Sequence, residues 1–293
     1  MKTGLESVRC PSCGGKESGF WAEEAGFNVV RCKGCRFLYV NPRPCFDYIN
    51  EAVRSGRHSS ADTNLNVRSR RIPGKVALYR RLFAKAYSDL WETLSPITWL
   101  DVGAGYGEIL EAVSALAPRG STIIGCEPMH HKADIARANG LNVVDRYLGP
   151  KEFQADVISI IDIFSHVPNF AEFLAVVASN LAPNGSLFIE TGNLADLGSR
   201  REFPGELGLP DHLAFAGEKH LINYLSNAGF DVLEVQRQRI DNFRHFAKNT
   251  VKWIIGRPSV LAIPYTSNYR QIRIKAKLRV FESKGSNITS KQS

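Results

Sequence analysis

Apolar residues in this chain gather in short runs, and the runs alternate with stretches where they recur every three or four positions. Runs at 97–102, 121–127, 141–145, 156–162, 185–191 and 230–237 predict strands. Several are almost wholly apolar, as Val157-Ile-Ser-Ile-Ile161 is, which a strand needs when both faces of its sheet are covered. Intervening stretches such as Glu-Ile-Leu-Glu-Ala-Val-Ser-Ala-Leu-Ala at 108–117 repeat apolar residues at helical spacing. This alternation predicts an α/β fold with a parallel sheet covered on both faces and a ligand at the carboxyl ends of its strands, near the switch point.

The first run passes through Asp101 straight into Gly103, Gly105 and Gly107. Glycines in such a loop let the backbone turn sharply and approach a ligand where a Cβ would obstruct it. Their spacing is G-x-G-x-G, whereas dinucleotide loops carry G-x-G-x-x-G beside a pyrophosphate, so a less phosphate-like ligand is expected. The second strand closes on Glu127, where a carboxylate accepts hydrogen bonds from ribose hydroxyls. Asp101, Gly103, Glu127 and Asp162 are expected together at the ligand end of the sheet.

A separate signal stands near the amino terminus. Cys10-Pro-Ser-Cys13 and Cys32-Lys-Gly-Cys35 are two C-x2-C knuckles at zinc-ribbon spacing. Four thiolates close a tetrahedron around structural Zn2+ and leave no position for a catalytic water. Two disulfides or a redox pair are the alternatives, and neither suits a chain without a secretory signal. So short a segment buries too little to fold unaided, and metal binding is expected to be coupled to its folding.

From about residue 97 to 230 the chain resembles the class I S-adenosylmethionine-dependent methyltransferases. Leu100-Asp-Val-Gly-Ala-Gly-Tyr-Gly107 is similar to that family's first motif, Gly125-Cys-Glu-Pro128 to its second, and 156–167 to its fourth strand and following turn. Leu181-Ala-Pro-Asn-Gly-Ser-Leu-Phe-Ile-Glu190 resembles the helix end, tight turn and fifth strand, with Asn184 replacing a glycine; Asn tolerates a left-handed turn. A subset of small-molecule methyltransferases is similar in having an amino-terminal zinc ribbon and an exit like Asn41-Pro-Arg-Pro44. The resemblance implies a Rossmann-like methyltransferase domain with a mostly parallel seven-stranded sheet, preceded by a small zinc ribbon. It further implies that Asp101, Gly103, Ala104, Gly105, Gly107, Glu127, Pro128, Asp162 and Ile163 bind S-adenosylmethionine, while Cys10, Cys13, Cys32 and Cys35 hold structural Zn2+.

The expected organisation is a ribbon-like domain at 1–45, a helical linker or lid at 46–96, and a cofactor-binding methyltransferase domain at 97–237. A basic carboxyl-terminal extension (238–284) and a disordered tail (285–293) follow. With 44% hydrophobic and 23% charged residues and no apolar run long enough to span a bilayer, the 293-residue chain is expected to be globular and cytoplasmic. Its net charge of +8 is uneven: Arg237, Arg239, Arg244, Lys248, Lys252, Arg257, Arg270, Arg273, Lys275, Lys277 and Arg279 crowd the carboxyl-terminal part. Such a patch suits a nucleic acid, an anionic lipid surface or a phosphate-bearing small molecule, and equally an ordinary solvated surface.

Methyl transfer from a sulfonium depends mainly on in-line positioning, and a hydroxyl acceptor benefits from a base near neutral pKa. His166, after the fourth strand, and His212, after the fifth, are the candidate catalytic residues; each could equally hold a loop by hydrogen bonds. Ile161-Asp-Ile-Phe164 is not the Asn/Asp-Pro-Pro-aromatic turn of amino-methylating relatives, and neither Cys45 nor Cys126 is well placed as a nucleophile. The expected activity is methyl transfer to a small-molecule acceptor such as a sugar or other biosynthetic intermediate. An RNA methyltransferase or RNA-binding module is the alternative, with nucleic acid not favoured as a partner.

Overall fold

The computed structural model describes residues 4–59, 64–66, 71–203, 205–239, 243–256 and 266–279. The expected tail at 285–293 lies outside them.

Strands β1 (Ser18–Glu24) and β2 (Phe27–Cys32) form a hairpin, and β3 (Leu38–Val40) adds antiparallel to β2. Ala25 and Gly26, with φ of 54° and 78°, supply the two left-handed residues of a tight hairpin turn whose twist matches the strands. Three helices follow: α1 (Phe46–Ser55), α2 (Pro73–Ala86) and α3 (Ser88–Glu92). The stretch expected as a helical linker therefore contains three helices together with a short antiparallel strand pair, Arg57–Ser59 with Asn64–Asn66, and α2 is not peripheral. Tyr79 and Phe83 of α2 and the following Tyr87 are buried in one core cluster with Trp99, Ile109 and Phe188. The Phe83 ring centroid lies 4.9 Å from that of Trp99 and 5.2 Å from that of Phe188.

The sheet alternates with helices: β4 (Thr98–Val102), α4 (Glu108–Ser114), β5 (Thr122–Cys126), α5 (His130–Ala138), β6 (Val143–Val144), β7 (Ala155–Ile161), α6 (Phe170–Ser179) and β8 (Leu181–Gly192). Then come β9 (Ala214–Phe215), α7 (Glu218–Asn227), β10 (Phe230–Arg239), α8 (Phe243–Ile254) and β11 (Arg270–Leu278). Seven strands pair in the order β6-β5-β4-β7-β8-β11-β10, with β6 through β8 parallel and β11 antiparallel to both neighbours. The order reverses between β4 and β7, which is where an open α/β sheet leaves a crevice. Asn184 takes φ 66°, the left-handed conformation expected there.

Strand β11 lies inside residues 238–284, so the sheet does not end at 237 and that segment is not simply an extension. Ile272, Ile274 and Ala276 are buried and alternate with Arg273, Lys275 and Lys277, the period-two pattern of a strand. The ribbon is joined to this body by β9, which pairs with β3 to complete a four-stranded sheet ordered β9-β3-β2-β1.

Candidate active site

The glycine loop leaves β4 and is tied to the end of β5: the N–H groups of Gly103 and Ala104 both donate to the Cys126 carbonyl, at 2.8 and 3.0 Å. All three glycines have positive φ, yet their surroundings differ. A Cβ on Gly103 would stand 2.1 Å from Cδ1 of Ile163, and one on Gly107 would stand 2.1 Å from Cδ1 of Leu141. A Cβ on Gly105 would meet nothing within 4 Å, so the space beside this glycine is open.

Two carboxylates organise the loop. Glu127, 6% exposed, accepts the Gly105 N–H at 2.7 Å through Oε2 and the Met129 N–H at 2.8 Å through Oε1. Burial raises its pKa, opposed by those N–H groups and by Lys132. Asp101, 1% exposed, lies beneath the loop and accepts the Ser159 hydroxyl at 2.5 Å; Ser159 in turn accepts the Trp99 indole N–H at 2.9 Å. Burial pushes Asp101 up to about 7. Ala104 is buried in the loop and Pro128 half-buried beside Glu127.

Across the crevice, Asp162 is exposed and follows β7 with φ 58°; its Oδ1 accepts from the Gln271 amide at 3.0 Å and its Oδ2 lies 4.0 Å from Lys75 Nζ of α2. Below it, Glu190 is buried with Arg273 in a charge-assisted bond and also accepts the Tyr79 hydroxyl at 2.7 Å.

The structure brings the two candidate histidines together. His166 and His212 have ring centroids 4.7 Å apart at an interplanar angle of 74°, and both line a cavity of about 280 Å³. Asp162, Ser165, Gly192, Glu206 and Tyr269 share its wall. His166 Nδ1 faces two acceptors, Asp211 Oδ1 at 3.0 Å and the Asp211 carbonyl at 3.2 Å, so it donates and leaves Nε2 as the proton-exchanging atom. His212 Nδ1 likewise donates to the Leu207 carbonyl at 2.6 Å. Burial opposes the charge on His166, but the Asp211 carboxylate outweighs it and raises the pKa. His212 is pushed down to about 4, first by burial and then by the neighbouring His166. A second, larger groove of about 1080 Å³ separates the ribbon from α6 and α7. Its histidine, His220, has both nitrogens engaged, Nε2 donating to the Cys35 carbonyl at 2.8 Å and Nδ1 accepting the Gly217 N–H at 3.1 Å.

Asp211 and Tyr269 carried no separate signal in the sequence. Adjacency to His212 was the available hint for Asp211. Tyr269 reaches the cavity only because β11 folds back, setting its phenol where a Cβ on Gly192 would stand.

The four knuckle cysteines converge, with all Sγ atoms within 4.8 Å of one another. Cys10 and Cys35 sulfurs are 3.5 Å apart and those of Cys13 and Cys32 3.6 Å. Sulfurs on a tetrahedron with metal–sulfur bonds of about 2.3 Å lie roughly 3.8 Å apart, so the cluster suits such an ion and is far wider than a disulfide. Backbone N–H groups of Ser12 and Cys13 bond to Cys10, and those of Gly34 and Cys35 to Cys32, which favours thiolate charge. From this ribbon, Glu24 accepts the N–H groups of Leu207 and Gly208 at 2.8 and 2.7 Å, and Val40 donates to the Leu213 carbonyl at 2.8 Å. The ribbon thereby grips both sides of the loop that carries Asp211 and His212.

Among curated proteins, the chain is similar to the ubiquinone biosynthesis O-methyltransferase of Saccharophagus degradans, 28% identical over 156 residues, covering 46% of this chain and 64% of that one. The corresponding enzyme of Photobacterium profundum is 31% identical over 104 residues, covering 32% and 43%. The chain thus spans less than two thirds of either relative's length. Among solved structures it is similar to an S-adenosylmethionine-dependent methyltransferase from Archaeoglobus fulgidus, at 20% identity and a TM-score of 0.48 over 69% of this chain and 94% of that one. A methyltransferase-domain family model matches residues 76–235, more than half of the sequence, and takes in part of α2, the glycine loop, both histidines and most of β10. On that match and this strand order, the chain belongs to the methyltransferase-domain family, in its class I, S-adenosylmethionine-dependent form.

Proposed function

We propose that this protein methylates an oxygen of a small-molecule acceptor, using S-adenosylmethionine as the donor and Zn2+ in the four-cysteine ribbon as a structural ion. The observation that carries the reading is the pair His166 and Asp211, facing a cavity that also touches Asp162 at the switch point. Bound in the crevice, S-adenosylmethionine supplies a methyl already activated by the sulfonium charge. The chain's own residues then have three tasks. Gly103 to Gly105 offer backbone that a ligand can approach closely, and Glu127 retains lone pairs for ribose hydroxyls beyond the two N–H groups it accepts. His166 Nε2 removes the acceptor's hydroxyl proton, and Asp211 stabilises the imidazolium that results. His212, neutral at physiological pH, forms a polar wall that does not compete for that proton.

An oxygen acceptor accords with the O-methyltransferase names of the curated relatives. A nucleic acid acceptor draws less support, because much of the basic carboxyl-terminal cluster is spent within the fold. Arg273 pairs with Glu190, Arg237 with Glu218 and Arg279 with Asp231, while Lys275 donates to the Ala86 carbonyl.

Calorimetry of the zinc-loaded protein with S-adenosylmethionine and S-adenosylhomocysteine tests the donor: binding of both is expected, and absence of either heat would overturn the reading. Incubation with labelled donor and fractionated metabolites should then yield a small molecule heavier by one methyl. Label entering RNA instead would redirect the acceptor assignment.

A further inference from the structure

Helix α8 stands apart from the polar economy of the rest of the carboxyl-terminal region. Phe243, Val251 and Ile254 fall on one stripe at helical spacing and are 66%, 58% and 69% exposed; Trp253 and Ile255 beside them are 61% and 58% exposed. Lys248 and Lys252 are four residues apart along one flank of that stripe, Arg244 is a third cation, and residues 243–256 contain no Asp or Glu. Arg239 and Arg257 flank the segment in sequence. Five large apolar side chains exposed within one short basic segment are more than the scattered exposure of a water-facing surface.

The geometry points to an anionic lipid bilayer as the occupant of this face, with α8 lying in the interface plane. Length decides against spanning: 12 residues make about 18 Å of helix against a hydrocarbon core of about 30 Å. No helix among the described residues is long and apolar enough to cross a membrane. An apolar stripe bordered by Trp and flanked by lysines is the pattern of an interfacial helix, with the ring at the headgroup boundary and the ammonium groups at lipid phosphates. Charge argues against a second copy as the occupant. Two chains of net charge +8 would bring their lysine rows together, whereas an anionic surface complements them.

The test uses the full, zinc-loaded chain with vesicles of phosphatidylcholine alone and of phosphatidylcholine mixed with phosphatidylglycerol, read by co-sedimentation. Binding to the mixed vesicles that weakens with salt is expected. Lys248→Glu with Lys252→Glu should reduce it by at least about 25-fold, since each cation at an anionic surface contributes roughly fivefold. Val251→Ser with Ile254→Ser should abolish it. Zinc content and S-adenosylhomocysteine binding should stay unchanged in both variants, which separates this inference from the methyl-transfer reading. No vesicle binding, equal binding to both vesicle types, or a dimer in analytical ultracentrifugation that dissociates on Val251→Ser with Ile254→Ser would each overturn it.

Discussion

Replacing Gly105 by alanine separates the needs of the fold from those of a ligand. The residue has φ 56°, so an alanine there carries the left-handed penalty of about 1–2 kcal/mol. Nothing in the protein lies within 4 Å of the added methyl, so no further cost falls on the fold. For a chain of this size that amounts to a fall in Tm of roughly 2–4 °C per kcal/mol. On the proposed function the methyl would stand against the ligand, where crowding a well-packed contact costs typically about 1–3 kcal/mol, or roughly 5- to 150-fold in affinity for S-adenosylhomocysteine. Gly140→Ala is the matched control: φ is 78°, again nothing lies within 4 Å, and the site follows α5 at the other end of that helix from Glu127. Calorimetry and thermal melts on both variants should show similar losses of stability and a loss of affinity in Gly105→Ala alone. Unchanged affinity in Gly105→Ala would refute the placement of the ligand against this loop.

Because Asp211 raises the pKa of His166, kcat/KM should climb with pH through a value above the ordinary 6.5, as the imidazolium gives up its proton. Asp211→Asn should shift that climb to lower pH and lower the plateau; a shift to higher pH would contradict the pairing. Glu190→Ala leaves the Arg273 guanidinium buried without its partner and should cost about 3–5 kcal/mol in urea unfolding, whereas a loss below about 1 kcal/mol would show the pair to be solvated. Cys13→Ser or Cys32→Ser should empty the zinc site by elemental analysis and raise KM for the acceptor while leaving S-adenosylhomocysteine affinity near wild type, because Glu24 and β3 hold the 207–213 loop and not the glycine loop. A parallel loss of S-adenosylhomocysteine affinity would mean that the ribbon supports the whole body.

What the sequence revealed most readily was local. Asp101, the three glycines and Glu127 occupy one loop and the ends of two neighbouring parallel strands, β4 and β5, which a single βαβ unit brings together. The cysteines announce themselves because a C-x2-C pair places two sulfurs on one turn. Strand β11 was concealed by its charge: Arg273, Lys275 and Lys277 read as a basic patch, although Ile272, Ile274 and Ala276 alternate with them and are buried. The cations belong there because Glu190 and the Ala86 carbonyl receive two of them, partners more than 80 residues away in sequence. The stretch before residue 97 looked like a linker for a related reason: Tyr79, Phe83 and Tyr87 are ordinary helix-face aromatics until Trp99 and Phe188 are seen beneath them. The juxtaposition of His166 with Asp211 depends on a 45-residue return of the chain, which no local pattern encodes.

Because Glu24 reaches from the β1 hairpin to the backbone of Leu207 and Gly208, the four-cysteine module braces the loop that walls the histidine cavity and is not an appendage. Variation in that hairpin would reshape the cavity from behind, altering which molecules fit without touching a residue that meets them. On the proposed function, exchanging the hairpin would change acceptor choice together with retention of the ion.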